Sequence, residues 1–399
     1  MSTTSTRTRP TTLSLPVLMV IGALTAVPPL VTDLYLPGLP AMARDMGSSE
    51  SMAQMTMSVC LVGLALGQLV VGPLSDRVGR IPPLRWGVAL LAVTSLLCAL
   101  APSLPVLLAA RLLQGLAGSA AVVVARAIVR DVYAGPRLAK VFSELMLVMG
   151  LAPAAGPVVG GQLLRITDWR GIFVVLMAIS ALLLAAVLTM LHETRPASAG
   201  DASVRTTTAL ATLVRDRSFM PFVAITSCAG IVLFSYIGMS PFVLQDDRGL
   251  SVTAYSLVFG TNAIGIVIGS QVNARLVMRL GPRTLLHAGL TLLVVAGALV
   301  SVAQALDAPT VVMLVPLWFC LVGFSGIMGN ASALAMEHQG GLAGTASALL
   351  GSCSFLFGAL VPPIISTAGT GGATMGLTMT AASVLGLLTL LLLAPRPRS

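Results

Sequence analysis

Apolar residues in this chain do not alternate with polar ones; they run in long stretches set apart by short polar breaks. Twelve such stretches can be drawn, at residues 14–36, 52–73, 84–102, 104–128, 140–163, 171–191, 219–243, 253–275, 284–305, 309–332, 342–366 and 373–394. Each is near the ~20 residues an α-helix needs to cross the hydrocarbon of a bilayer. Lipid offers backbone amides no hydrogen-bond partners, and a helix supplies them internally, so the pattern predicts an all-α integral membrane protein with twelve transmembrane helices. The longest polar stretch, His192 to Arg217, separates six spans from six. The expected organisation is a tail at 1–13, a first half at 14–191, a central loop at 192–217, a second half at 218–394 and a tail at 395–399.

Composition agrees with this picture. Only 9% of the residues are charged and the mean hydropathy is +0.96, against roughly 25% charged in soluble domains. The net charge of +9 would suit a nucleic-acid binder, but such proteins gather Lys and Arg on one face or arm. Here the basic residues fall in short groups between spans, a topological pattern. With the N-terminus in the cytoplasm, the outer loops hold only Arg44, Arg165, Arg170 and Arg248, and 17 of the 23 basic residues lie inside. The positive-inside rule therefore predicts cytoplasmic N- and C-termini in a multi-pass plasma-membrane protein. The first apolar run continues to Leu36 with Asp33 inside it, and reads as a retained span rather than a cleaved signal. The loops after the second and eighth spans, GPLSDRVGRIPPL and NARLVMRLGPRTL, both carry arginines and a glycine, which suggests two related halves.

Other engines lack their parts. An ATP-driven pump needs a phosphate loop ending in Gly-Lys-Ser/Thr, and the single lysine, Lys140, is followed by Val141. No HExxH, GxSxG or paired intramembrane carboxylates occur. The five cysteines lie inside apolar runs without a CxxC, and the three histidines are scattered, so the expectation is no metal, no cofactor and no enzyme. A membrane protein with these parts, if it moves solutes, must draw its energy from an ion gradient or the substrate's own gradient.

The remaining charges and helix breakers are the candidates for mechanism. Asp33 lies in the outer half of the first span, where a carboxylate costs roughly 2.5–3.5 kcal/mol on insertion scales. Burial opposes its ionisation and a nearby cation favours it, so it could take up and release a proton as water access switches; a surface acid at the span end is the bland alternative. Arg111, in RLLQGLAGSA of the fourth span, is at similar depth and is the natural partner, or else part of a structural ion pair. In the fifth span, GLAPAAGPVVGG holds Pro153, Gly156, Pro157 and Gly160; prolines bend a helix and small residues permit close packing, as in a seal or hinge, with generic packing the bland alternative. Gly72, Asp76, Arg77, Gly79 and Arg80 form a cytoplasmic corner. Asp76 could meet the helix start at GGLAGTAS from Gly340, and Arg80 could pair with Asp131, unless the loop is merely solvated. Tyr35, Gln114, Tyr236, Ser240, Asn262, Trp318 and Asn330 suit an apolar pocket with a few hydrogen-bonding groups. Lipid-facing aromatics are the alternative for Trp318 and Phe319.

Together, GPLSDRVGR, RLLQGLAGSA and GLAPAAGPVVGG resemble the loop 2–3, fourth-helix and fifth-helix motifs of the major facilitator superfamily, in its twelve-span drug/proton antiporter branch. TDLYLPGLP, ARAIVRDVY, SPFVLQDDRGLS and NASALA followed by AGTASALLG are similar to the bicyclomycin/chloramphenicol-resistance (Bcr/CflA) subfamily. The resemblance covers nearly the whole chain. It implies two six-helix bundles around a central cavity, alternating access, and proton-driven export of a small-molecule drug by a monomer. By the same resemblance Asp33 is the proton and drug site, Arg111 the coupling cation, Asp76 and Arg80 gate residues, and Gly156 with Pro157 part of the antiporter helix. Related multidrug members carry a second acid about two turns before Asp33, where this chain has Thr25; the implied substrates are neutral or weakly charged antibiotics such as chloramphenicol or bicyclomycin. Export of an endogenous sugar or amino-acid metabolite on the same fold, and a non-transporting sensor or channel, are the competing readings.

Overall fold

A computed structural model describes residues 13–133, 135–194, 206–337, 343–367 and 371–395. The first half contains α1 (Leu15–Asp33), a short α2 (Leu39–Asp45), α3 (Glu50–Val78), α4 (Ile81–Ala99), α5 (Leu104–Val132), α6 (Gly135–Leu163) and α7 (Trp169–Met190). After α8 (Thr206–Arg215) come α9 (Met220–Phe242), α10 (Val252–Leu280), α11 (Pro282–Ala305), α12 (Thr310–Met336), α13 (Ala343–Ser366) and α14 (Gly372–Leu392). Among the described residues, eleven helices are long and apolar enough to cross a membrane. With the 29-residue α6 they make the expected six and six. Exposed Leu69, Leu97, Leu182, Leu299 and Leu392 form the apolar exterior that faces lipid.

Two expectations change. The segment 192–217 is not simply a loop, because Thr206–Arg215 forms α8, while Glu193 is drawn into the corner described below. The first span also stops earlier than residue 36. α1 ends at Asp33, a short 3₁₀ turn follows at Leu36–Gly38, and α2 begins. Pro37 and Pro40 lack the amide hydrogens that would continue the helix, so the chain turns just after Asp33.

The halves repeat one another in backbone packing. Ser49 caps α3 by accepting from Met52 N, and Ser251 caps α10 by accepting from Ala254 N. Gly79 and Gly281 end the same two helices with φ of +100° and +76°, a conformation that side chains disfavour. Each half also has its own apolar core, and Met57, Leu61 and Leu64 of α3 join that of the second half.

The halves are clasped at the end of the molecule away from the chain termini. Arg44 pairs with Asp246 at 2.8 Å, and Gln245 donates to Pro37 O at 3.2 Å. Ser51 donates to Pro363 O at 2.9 Å, and Ser366 to Gln54 Oε1 at 2.8 Å. Gln245 and Asp246 lie in a π-helical turn, Val243–Asp247, that extends α9. Asp247 and Arg248 anchor that turn in the second half by accepting from Gly372 N and donating to Ala308 O. The QDDR string thus faces both halves at once. At the opposite end, Gln271, Ala274, Arg275, Met278 and Arg279 of α10 are all exposed.

Candidate functional site

Asp33 is the last residue of α1 and is 5% exposed. It is neither a surface acid nor lipid-facing. The glycine face of α6 lies directly on it: a Cβ added to Gly156 would sit 3.2 Å from Asp33 Cβ, and one on Gly160 would overlap the Leu34 carbonyl oxygen. A Cβ on Gly161 would overlap Ser256 Oγ of α10, in the other half. Pro153 and Pro157 lie inside α6 next to this face. The fifth-span motif therefore packs the end of α1 against the seam between halves, and at Gly160, where the neighbour is backbone, only glycine allows that approach.

Arg111 is fully buried, but its expected partnership with Asp33 takes a different form. Among the described residues no ion pair joins the two, although Arg111 reaches the last turn of α1, which Asp33 ends. The guanidinium donates instead to Val31 O of α1 at 3.0 Å, to Thr56 O of α3 at 3.1 Å and to Gln114 Oε1 at 2.6 Å. It also lies 4.5 Å from the Tyr35 ring centroid, a cation–π contact. Among the described residues its Nη2 has no hydrogen-bond partner. The turn after Asp33 removes the amide that would otherwise bond Val31 O, so Arg111 completes the end of α1 and ties it to α3 and α5. Its buried surroundings concentrate the positive charge.

Tyr35 and Gln114 belong to this same network rather than to an open pocket wall. Tyr35 OH is 2.9 Å from Thr56 Oγ1, and Gln114 Nε2 donates to Ser95 Oγ at 2.8 Å. Both residues are fully buried inside the first half. In the second half, Asn262 Nδ2 donates to Tyr236 OH at 3.0 Å, and Tyr236 stacks on Phe259. Ser240 Oγ is 3.5 Å from Tyr255 OH, and Ser256, the next residue after Tyr255, packs on Gly161 of the same α6 face that covers Asp33. Tyr236, Ser240, Asn262 and Tyr255 thus form a neutral polar group on the second-half side of the seam, near Asp33.

Two pocket candidates lie elsewhere. Trp318 donates through Nε1 to Thr261 O at 3.1 Å, packs on Gly265 and meets Phe319 edge-on. Thr261, Ile264 and Phe319 are exposed, so this is the α10–α12 rim, the position of the lipid-facing alternative. Asn330 Nδ2 donates to Asn273 Oδ1 and to Gly326 O, each at 2.7 Å, and clamps α10 to α12. Composition marked both as pocket residues, whereas their neighbours make them helix-to-helix ties.

The corner after α3 is a closed polar network. Arg80, 3% exposed, makes a two-point contact with Asp131 at 2.7 and 3.3 Å and also donates to Asp76 and Ser75. Burial works against its charge, but the hydrogen bonds and charges of Asp131 and Asp76 outweigh it and hold the guanidinium above its ordinary range. Glu193 accepts from the backbone amides of Arg80 and Ile81 at 2.9 and 3.2 Å, capping α4, and its carboxylate lies against Gly79. The Arg80–Asp131 pair matches expectation, whereas the corner is packed rather than solvated. Asp76, half exposed, takes Arg80 as its partner; much of the expected partner string from Gly340 lies outside the described residues. Arg77 is exposed, and a Cβ on Gly72 would meet open space. Glu193, Thr56, Tyr255 and Asn273 carry no sequence signal of these contacts; nothing local links Glu193 to Arg80 across 113 residues, for instance. Among the described residues no three His, Cys, Asp or Glu side chains gather closely enough to share a metal ion.

Comparison with known proteins places this geometry. Residues 21–362 match the Major Facilitator Superfamily. The chain is 37% identical to the uncharacterised MFS-type transporter YdgK of Bacillus subtilis, over 92% of each chain. It is 32% identical to the multidrug resistance protein MdtL of Escherichia coli, over 94% of each, and 29% identical to a bicyclomycin resistance protein homologue of Haemophilus influenzae, over 88% of each. The nucleoside transporter NupG shares the fold with a TM-score of 0.76 at 12% identity, covering 95% of this chain and 98% of that one. Twelve membrane helices in two packed sets of six, the corner network and these full-length similarities lead to one conclusion: this chain belongs to the major facilitator superfamily, alongside multidrug- and bicyclomycin-resistance transporters, and is a transporter rather than an enzyme.

Proposed function

We propose that this protein is a proton-coupled antiporter that exports small neutral or weakly charged antibiotics by alternating access, with its termini in the cytoplasm and as a monomer. The observation that carries the reading is the placement of Asp33. A carboxylate buried where α1, the glycine face of α6 and the seam between halves meet is costly to keep charged. Among the described residues no ion pair fixes it in that state, while Arg111 is held close by as a permanent charge. Protonation then follows the local water access, and a rocking of the two halves changes that access. The positive-inside pattern puts the clasped end outside, so the described state is closed to the outside.

The names of the relatives support a drug as cargo. Thr25 supports a neutral one, since it is buried and donates to Ile21 O at 2.8 Å, so no second acid stands along α1. Expression in a pump-deficient bacterial host tests the reading. The expected result is a several-fold rise in the inhibitory concentration of chloramphenicol or bicyclomycin, lost in Asp33→Asn with membrane levels of the protein near normal. Unchanged susceptibility to both drugs at normal expression would favour an endogenous metabolite as cargo.

A further inference from the structure

Hydroxyls buried in the helices of this protein mostly turn back on their own backbone. Ser95 donates to Leu91 O, Ser180 to Leu176 O, and Ser227 to Val223 O, the usual resting place of a helical serine. Ser58 on α3 and Ser235 on α9 do not. They are 3% and 0% exposed, and among the described residues neither hydroxyl has a partner. Gln54, one turn before Ser58, is 1% exposed and similar: its oxygen accepts from Ser366, while its amide nitrogen has no partner among the described residues. Buried polar atoms are rarely left without a partner, so each such group calls for one.

These three groups share one stretch of the seam. Ser51 and Gln54 bond across to the second half, and Leu61 packs into its core, so Ser58 lies on the face that α3 turns to that half. On α9, a Cβ at Gly238 would lie 3.3 Å from Met57 Cε and 3.9 Å from the Gln54 side chain, and Ser235 is one turn earlier. The helices run antiparallel, with α3 starting and α9 finishing at the clasped end. Stepping from Gln54 to Ser58 and from Gly238 to Ser235 therefore moves in the same direction along the seam. None of the three groups is charged; the amide nitrogen only donates, and the hydroxyls donate or accept.

We propose that Gln54, Ser58 and Ser235 form a hydrogen-bonding subsite that reads one neutral, oxygen-bearing group of the exported molecule, such as a carbonyl, amide or hydroxyl. This deepens the function proposed above and rests on it. A hydroxyl whose hydrogen bond is made only with cargo adds nothing to the empty fold, so its removal weakens binding without weakening the protein.

The test is uptake of radiolabelled chloramphenicol into inside-out vesicles carrying wild type, Ser58→Ala, Ser235→Ala, the double variant or Gln54→Leu, together with thermal melting of each purified protein. The subsite predicts a KM raised about threefold by each serine variant and about tenfold by the double variant. It also predicts a maximal rate within about twofold of wild type and melting temperatures equal to or above it. Gln54→Leu raises KM as well, but it also removes the Ser366 bond, so the serine variants decide. An unchanged KM in the double variant, or a lowered melting temperature in the serine variants, overturns the subsite while wild-type transport leaves the antiporter reading intact. Wild-type vesicles that move neither chloramphenicol nor bicyclomycin overturn both.

Discussion

The two halves of this transporter share a scaffold but not a chemistry. Gly63, Gly67, Gly79 and Gly87 recur as Gly265, Gly269, Gly281 and Gly289, the same interval along the chain each time. Their surroundings correspond. Gly67 fits beneath Leu116 O and Ser119 of α5, and Gly269 beneath Val322 O and Ser325 of α12. At that interval Arg80 is replaced by Pro282 and Asp76 by Met278, which is 88% exposed. The first half buries Asp33, Arg111, Arg80 and Asp131, whereas the second joins the corresponding helices, α10 and α12, through the neutral Asn273–Asn330 contact. Backbone approach is what the repeat preserves. Buried charge, which is expensive in a membrane, is concentrated where one half needs it.

The sharpest way to break this comparison is to remove the buried charge. Arg80→Ala leaves Asp131 buried beside a lost partner and is expected to cost about 3–5 kcal/mol. Arg279→Ala in the second half, exposed in the last turn of α10, is expected to cost less than about 0.5 kcal/mol. Thermal melting of the purified proteins measures both, and equal losses would contradict the asymmetry.

The shared scaffold gives smaller effects. Gly63→Ala drives a methyl group into the backbone oxygen of Leu112, whereas Gly265→Ala meets the Trp318 side chain. Backbone yields less than a side chain, so the first is expected to cost about 3 kcal/mol and the second about 1. The smallest effect belongs to the clasp. Arg44 and Asp246 are 66% and 34% exposed, and exposed pairs contribute about 0.2–1 kcal/mol. Arg44→Ala is expected to shift the balance between open and clasped states by no more than about fivefold, as read by crosslinking across the clasped ends. High salt should bring wild type close to the variant.

Much of this was legible in the sequence, for reasons that also mark its limits. Run length and loop charge were sufficient to locate the spans, and an acid in an apolar run made Asp33 conspicuous. The Arg80–Asp131 pair could be anticipated because the two residues have opposite charges and lie beside span ends on the same side of the membrane. Depth, however, does not say which inter-helix gap a side chain enters. Arg111 has the depth of Asp33 yet bonds backbone carbonyls, which carry no sequence signal. Trp318 and Asn330 have pocket-like chemistry but face α10. Glu193 reads as a loop acid until the fold brings it to the start of α4.

The central claim, that Asp33 carries the proton, is tested most directly by proton release on substrate binding. Purified protein in weakly buffered detergent, with a pH-indicator dye, is mixed with chloramphenicol below neutral pH. The account predicts acidification by wild type and none by Asp33→Asn, although the variant still binds the drug. Release from Asp33→Asn equal to that of wild type would contradict it.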